Sequence, residues 1–203
     1  MLSDGPRDAA AVLILAHGAG APMDSPFMNI VARGVAANGV HVLRFEFPYM
    51  AARRSSGRRG APDREPVLIE AWRRAIAGAP GVRRIVIGGK SLGGRIASMI
   101  ADEAAVAGLV CLGYPFHPPG NPARARIKHL EHLRTPALIV QGTRDSFGHR
   151  DEIAQYPLAP NIRLAWMEDG DHSFKPRASS GRTEAENLNE AIAQVRSFIA
   201  ELE

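Results

Sequence analysis

The first chemistry that the chain suggests is that of a nucleophilic serine. Ser91 lies at the centre of a Gly-Lys-Ser-Leu-Gly run that follows an apolar stretch, residues 85–87. In a Gly-x-Ser-x-Gly elbow a strand passes so tightly into a helix that small residues must flank the serine two positions away. Gly89 and Gly93 meet this demand. The backbone N–H of Leu92 would then point from a helix N-terminus toward a substrate oxygen held at Ser91.

This run has two alternatives to the elbow. The tripeptide Gly89-Lys90-Ser91 also ends a phosphate-binding P-loop, which needs a glycine five residues before its Gly-Lys-Ser. Arg84 occupies that position, so the spacing argues against a nucleotide site. The second alternative is purely structural, because small residues can simply let a helix cross a strand closely. This structural alternative stays open for the run taken alone.

Two residues further along the chain can complete a hydrolytic centre with Ser91. A serine hydroxyl is a poor nucleophile until a neutral imidazole takes its proton, and a carboxylate must hold the other ring nitrogen. Asp145 and His172 each follow closely on an apolar run that predicts a strand. The alternative for His172 is a hydrogen-bonded loop histidine. Asp169 and Asp171 are nearer to it in sequence, and we expect both to point elsewhere.

Six predicted strands must position these residues. Apolar runs indicate strands that begin near residues 12, 40, 85, 108, 137 and 162. Helical patterns lie between them, so the chain belongs to the α/β class, with a mainly parallel sheet covered by helices on both faces. We therefore expect a three-layer α/β/α sandwich of about six strands. Reactive groups in such sheets gather at the carboxyl edge, where His17, Ser91, Asp145 and His172 all fall.

The sequence pattern that predicts a helix is clearer in some segments than in others. The last one is strongly amphipathic, with apolar residues recurring at helical spacing between residues 188 and 199. Another helix is expected from about residue 92 to 105, directly after the serine. A short helix is expected over about 123–133, before Pro136.

Composition bounds the size and class of the protein. With 203 residues, 45% of them hydrophobic and 23% charged, the chain suits a single domain over residues 1–203. Its one cysteine, Cys111, cannot form an internal disulfide, which argues against a secreted, disulfide-stabilised protein. The early sequence has neither a signal-peptide pattern nor an apolar run long enough to span a membrane. We expect a cytoplasmic protein that does not bind a membrane.

The positive charges that give the chain its net charge of +4 are concentrated in one segment. Five arginines and one aspartate between residues 53 and 64 account for all of it, so a nucleic-acid partner is not expected. We expect the arginine-rich loop, residues 51–65, to form a pocket rim that favours anionic substrates or docks an acidic partner. The alternative is a flexible, solvated loop hinged at Ser55-Ser56-Gly57. The arginines concerned are Arg53, Arg54, Arg58 and Arg59.

Taken together, these residues resemble the α/β-hydrolase superfamily over nearly the whole chain. The chain order Ser91, Asp145, His172 is the order that this superfamily uses. Residues 47–50 (Phe-Pro-Tyr-Met), 141–145 and 171–175 resemble the small, capless, dienelactone-hydrolase-like branch. A related domain occurs in a subunit of the nonspecific-lethal histone acetyltransferase complex.

The resemblance implies a compact fold without a cap domain, and a serine hydrolase that needs no cofactor. Its substrate would be a small ester or thioester, cleaved through an acyl-enzyme. The oxyanion hole would be formed by the backbone N–H groups of Leu92 and Ala19, the residue after His17-Gly18. True dienelactone hydrolases use a cysteine nucleophile, whereas Cys111 lies outside the elbow, so lactone chemistry is not implied. The alternative is a catalytically idle fold that acts as a protein-interaction module.

Eight side chains are candidates for contact with the substrate. The proline-rich stretch 114–120 is expected to wall a pocket. Lys90 is either solvated or steers anions, and His17 has the alternative of stiffening its own loop by hydrogen bonding. The candidates are His17, Tyr49, Met50, Arg53, Arg54, Lys90, Phe116 and Phe147.

A metal site is a weaker hypothesis. His129 and His132 lie three residues apart on a predicted helix, but no cluster of carboxylates or cysteines accompanies them. We expect both histidines to be exposed to solvent, and no metal is predicted.

Overall fold

The sheet of the computed structural model, which describes residues 1–58, 60–79, 81 and 84–202, has seven strands. All six predicted strands are present. The strands are β1 (Leu2–Asp4), β2 (Ala11–Ala16), β3 (His41–Phe45), β4 (Arg84–Lys90), β5 (Gly108–Leu112), β6 (Ala137–Gly142) and β7 (Ile162–Met167). Their order in the sheet is β1-β3-β2-β4-β5-β6-β7, and only β1 runs antiparallel to its neighbour.

Helices cover both faces of this sheet, as predicted. The helices are α1 (Pro26–Ala36), α2 (Pro48–Ser56), α3 (Glu65–Ala77), α4 (Leu92–Ile100), α5 (Arg150–Ile153) and α6 (Glu184–Glu201). The apolar sides of α1 and α6 pack on one face, and those of α2, α3 and α4 pack on the other. The result is a three-layer α/β/α sandwich without an added cap domain. None of the described helices is both long and apolar enough to cross a membrane.

The strand register brings the functional loops to one edge. The six residues of β2 are all buried, as expected for a strand covered on both faces. Ala16 at its end pairs with Gly89, and Gly142 at the end of β6 pairs with Met167 at the end of β7. Because these strands are parallel, the loops that follow β2, β4, β6 and β7 leave the same edge of the sheet.

Two elements at the start of the chain were not predicted. The strand β1 has only three residues, too few for a periodic pattern, and it forms the edge of the sheet by pairing with β3. The helix α2 occupies part of the stretch predicted to be an irregular loop. Pro48 stands at its first position and Gly57 ends it with a left-handed φ of 70°, which are ordinary helix start and stop signals. The prediction of a loop is therefore wrong for residues 51–56, and Arg59 lies outside the described residues.

Two predicted helices are shorter than expected. The helix after Ser91 ends at Ile100, and turns follow it up to about residue 105. Two 3₁₀ turns, Pro122–Arg124 and Leu130–His132, replace the predicted helix at 123–133. The buried apolar residues of that segment recur every three positions, a spacing that suits 3₁₀ turns better than an α-helix; they are Ile127, Leu130 and Leu133.

Candidate active site

The structure contains the tight strand–serine–helix turn that the sequence predicts. Ser91 stands between the last residue of β4 and the first of α4, with φ 50° and ψ −113°. A positive φ is unfavourable for a residue with a Cβ, so the surrounding structure must hold this conformation. A Cβ on Gly89 or on Gly93 would overlap the carbonyl oxygen of Ala16. Glycine at both positions is therefore what lets β4 and α4 lie so close to β2.

Hydrogen bonds join the three predicted catalytic residues into one chain. The Nε2 atom of His172 lies 2.8 Å from the Oγ atom of Ser91, and its Nδ1 atom lies 2.7 Å from Oδ2 of Asp145. The Asp145 side chain is fully buried, whereas 22% of the His172 side chain is exposed. Because an ionised carboxylate only accepts hydrogen bonds, Nδ1 carries the proton and Nε2 is free to accept one from Ser91.

Asp145 is held in place by two donors that the sequence did not assign to this role. Gln141 donates from Nε2 to Oδ2 of Asp145 at 2.9 Å, and the backbone N–H of Phe147 donates to Oδ1 at 2.9 Å. Gln141 also accepts the backbone N–H of Tyr114 at 2.7 Å. The one sequence signal for this role was a glutamine next to the last residue of the apolar strand β6, four residues before Asp145.

The loop after β2 is held by two of the predicted pocket residues. The backbone N–H of Phe47 donates to Nε2 of His17 at 3.1 Å, so the ring proton must be on Nδ1, which donates to the carbonyl of Gly18 at 2.7 Å. The Tyr49 hydroxyl donates to the carbonyl of Ala19 at 3.1 Å. In a trans peptide the N–H points opposite to the C=O. Fixing the Gly18 carbonyl therefore fixes the direction of the Ala19 N–H.

Burial is consistent with the neutral form of His17. Burial is the main cause that lowers the pKa of its imidazole, partly offset by the hydrogen bond to Gly18. A protonated ring would also carry a proton on Nε2, where it would oppose the N–H of Phe47. His17 thus supports its own loop, the alternative that the sequence left open.

A cavity of about 290 Å³ opens beside the serine. Three of the predicted substrate-contact and oxyanion residues line it, namely Ala19, Lys90 and Phe147. The ring of Phe147 lies against the ring of His172, with 4.2 Å between their centroids. The other lining residues are Gly18, Gly20, Ala21, Ser25, Phe27, Met28, Ser91, His172 and Ser173. Phe27, Met28 and Ser173 were not predicted as pocket residues.

The remaining predicted pocket residues lie outside this cavity. Phe116 and Met50 are buried in the core, and Phe116 packs against Tyr114 with 4.8 Å between ring centroids. Arg53 and Arg54 line a separate surface hollow between α2 and the loop after β2. Arg54 is paired there with Asp24 at 2.7 Å and with Glu46 at 2.6 Å, so its charge is already compensated.

The two candidate metal-binding histidines have different environments. His132 is exposed as expected, but His129 is half-buried, with Nε2 at 2.8 Å from the hydroxyl of Ser98. Burial is the main cause that lowers the pKa of His129. Within the described part of the chain, no group of three or more His, Cys, Asp or Glu side chains is placed to hold a metal ion.

Comparison with known proteins agrees with this fold. Residues 9–200 match the family model described as "Alpha/beta hydrolase domain", and the chain therefore belongs to the α/β-hydrolase family. A dienelactone hydrolase from Anabaena variabilis ATCC 29413 superposes with a TM-score of 0.73 at 20% identity, covering 98% of this chain and 90% of that one. Membership of the family supports a hydrolase activity.

Two further solved structures are similar to this chain. An alpha-beta serine hydrolase homologue from Coxiella burnetii has a TM-score of 0.71 and 18% identity, covering 97% of this chain and 89% of that chain. A serine hydrolase without lid from Xanthomonas campestris has a TM-score of 0.71 and 19% identity, covering 97% and 87%. At these identities the likeness shows a shared fold, the capless α/β-hydrolase fold.

Proposed function

We propose that the protein is a serine hydrolase that cleaves a small ester or thioester through an acyl-enzyme. The observation that supports this most strongly is the hydrogen-bonded chain from Ser91 through His172 to Asp145, at 2.8 and 2.7 Å. The strained backbone at Ser91 and the cavity beside it point the same way. Strain of this kind is concentrated at functional sites.

The first half of the reaction forms the acyl-enzyme. Nε2 of His172 takes the hydroxyl proton as Oγ of Ser91 attacks the carbonyl carbon of the substrate. The negative charge that develops on the carbonyl oxygen is stabilised by the N–H groups of Leu92 and Ala19. Asp145, held by Gln141, orients the imidazole and stabilises the cation that forms.

The second half releases the acid. The tetrahedral intermediate collapses, and the imidazolium gives its proton to the departing alcohol or thiol. Water then attacks the acyl-enzyme while His172 takes its proton, and the carboxylic acid leaves as Ser91 is restored. The cavity of about 290 Å³ is at the lower end of the range for ligand pockets, which supports a small acyl group.

Cys111, the one cysteine, is a poor candidate for the nucleophile. Its thiol is fully buried and lies 3.5 Å from the carbonyl oxygen of Gly94. Burial raises the pKa of the thiol, which suppresses the reactive thiolate.

Hydrolysis of neutral 4-nitrophenyl esters of acetate and butyrate tests the proposal. Replacing Ser91 or His172 by Ala should lower kcat by roughly 10⁴- to 10⁶-fold, and Asp145→Asn somewhat less, since these groups act as a unit. Cys111→Ala is the matched control, and we expect it to retain activity. Full activity in Ser91→Ala would refute the assigned nucleophile, and a folded wild type without activity on any ester or thioester would favour an idle fold.

A further inference from the structure

Lys90 stands out because it is a buried ammonium group beside the proposed nucleophile. It is the last residue of β4, directly before Ser91, and only 8% of it is exposed. Among the described residues its Nζ atom has no hydrogen-bond partner, and no described carboxylate lies within the 4 Å of an ion pair. A charge taken out of water is costly unless it is paired. The described residues therefore supply no hydrogen-bond or ion-pair partner that would offset this cost.

The surroundings of Nζ contain weak partners only. It lies 5.6 Å from the centroid of the Phe27 ring, and the carboxylates of Asp145 and Asp171 act on it at longer range. A Cβ added to Gly113, whose φ is 65°, would come within 3.0 Å of Nζ and 3.3 Å of Nδ1 of His172. The glycine thus leaves room for the side chains of both Lys90 and His172 at the same corner of the site.

Lys90 is one of the residues that line the cavity beside Ser91, although its Nζ atom is itself buried. Among the residues that line this cavity, Lys90 is the one Lys, Arg, Asp or Glu, and the lining also includes the apolar side chains of Phe27 and Met28. The hydroxyl groups of Ser25 and Ser173 also belong to the lining. Apolar walls suit the methylene groups of an acyl chain, whereas a single cation suits an anionic end.

We propose that Lys90 is the specificity-determining residue of this site and binds a carboxylate at the far end of the substrate's acyl chain. The inference rests on the proposed function and names its substrate class, monoesters of short dicarboxylic acids. Nζ is enclosed in the cavity wall, but its four-carbon stem is flexible, so the ammonium can turn toward a bound anion. A bound carboxylate gives the buried charge the partner that the fold does not supply. Arg54, already paired with two carboxylates, is not available for this role.

The test compares esters that differ only in charge. The 4-nitrophenyl monoesters of succinate, glutarate and adipate are paired with the corresponding neutral monoamide esters, and spontaneous hydrolysis is subtracted. Selectivity is the ratio of kcat/KM for the acid to kcat/KM for its amide. Lys90→Met should lower this ratio by about 10- to 100-fold for the best chain length, the loss expected for a charge-assisted hydrogen bond. Lys175→Met removes an exposed lysine near the same loop and should leave the ratio as it is.

A second measurement needs no variant. Burial is the main cause that lowers the pKa of Lys90 to about 8, so the wild-type ratio should fall as the pH rises above about 8. The groups that face Nζ, namely Asp145, Asp171 and His172, act on both esters alike, so their effect cancels in the ratio. If Lys90→Met does not fold, this pH dependence of the wild-type ratio alone tests whether Lys90 binds the substrate carboxylate.

The outcomes separate this inference from the proposed function. Hydrolysis of both esters with a ratio that neither the variant nor the pH changes overturns the role of Lys90 alone. Equal loss of activity on both esters in Lys90→Met also overturns it, because the lysine would then support the triad. A wild type that hydrolyses none of the esters, neutral or charged, overturns the proposed function itself.

Discussion

Replacing Lys90 by Met should make the protein more stable near neutral pH. The pKa of its ammonium is lowered from 10.5 to about 8, chiefly by burial. That difference corresponds to about 3 kcal/mol, since one pH unit is worth ~1.36 kcal/mol. Methionine has a similar length and no charge, and it adapts well to irregular gaps. The variant removes the cost of burying the charge and keeps most of the packing.

The pH dependence of this gain has a definite sign. Between pH 8 and 10.5 the unfolded chain binds the Lys90 proton and the folded chain does not. The stability of the wild type relative to the variant therefore rises with pH in this window. Below about pH 8 the ammonium is charged in both the folded and the unfolded chain, and the wild type bears the full cost of burying the charge. Above pH 10.5 the amine is neutral in both, and this cost vanishes.

Urea unfolding at pH 7 and at pH 10 measures this difference. Lys90→Met should exceed the wild type by about 3 kcal/mol at pH 7 and by much less at pH 10, and its melting temperature at pH 7 should be ~6–12 °C higher. Lys175→Met, at an exposed position, should show no such pH-dependent difference. A Lys90→Met variant that is less stable than the wild type at pH 7, or a difference independent of pH, would refute the reasoning.

Three further substitutions probe how the site is held. Tyr49→Phe loses the hydrogen bond to the Ala19 carbonyl; kcat should fall ~2- to 10-fold with KM nearly constant, and an unchanged kcat would contradict the role. Gly89→Ala should give an unfolded or insoluble protein because its Cβ overlaps backbone, whereas Gly20→Ala, with open space around it, should fold normally by circular dichroism. Gln141→Leu leaves the buried backbone N–H of Tyr114 unpaired. The free energy of unfolding, measured by chemical denaturation, should fall by about 1–3 kcal/mol. Wild-type stability of the variant would show that the Tyr114 N–H finds another partner.

Much of the fold could be predicted because its strands are continuous apolar runs. A parallel sheet covered on both faces requires such strands. The strands β2, β5 and β6 could therefore be predicted from their own residues, without knowing which strands pair with them. The carboxyl-edge rule then placed Ser91, Asp145 and His172 together, and the structure joins them by hydrogen bonds. Gly89 and Gly93 identified the tight turn for the same steric reason that the structure shows.

Other features depend on contacts that a single sequence does not display. β1 exists only because its three residues pair with β3. α2 was missed because its polar, arginine-rich sequence is typical of a solvated loop, although Pro48 and Gly57 were available as signals. The burial of Lys90 was not predictable either, because lysine is rarely buried without a partner. Phe27, Gly113 and the loop at His172 lie around its ammonium group, and a single sequence does not show these contacts.

The most direct test of the central claim is intact-mass spectrometry after treatment with a fluorophosphonate. This reagent phosphonylates a serine whose hydroxyl is activated by a neighbouring base. We predict one adduct on the wild type, none on Ser91→Ala, and a strongly reduced rate of labelling on His172→Ala. Equal labelling of the wild type and Ser91→Ala, or no labelling of the folded wild type, would contradict the assignment of Ser91 as the nucleophile.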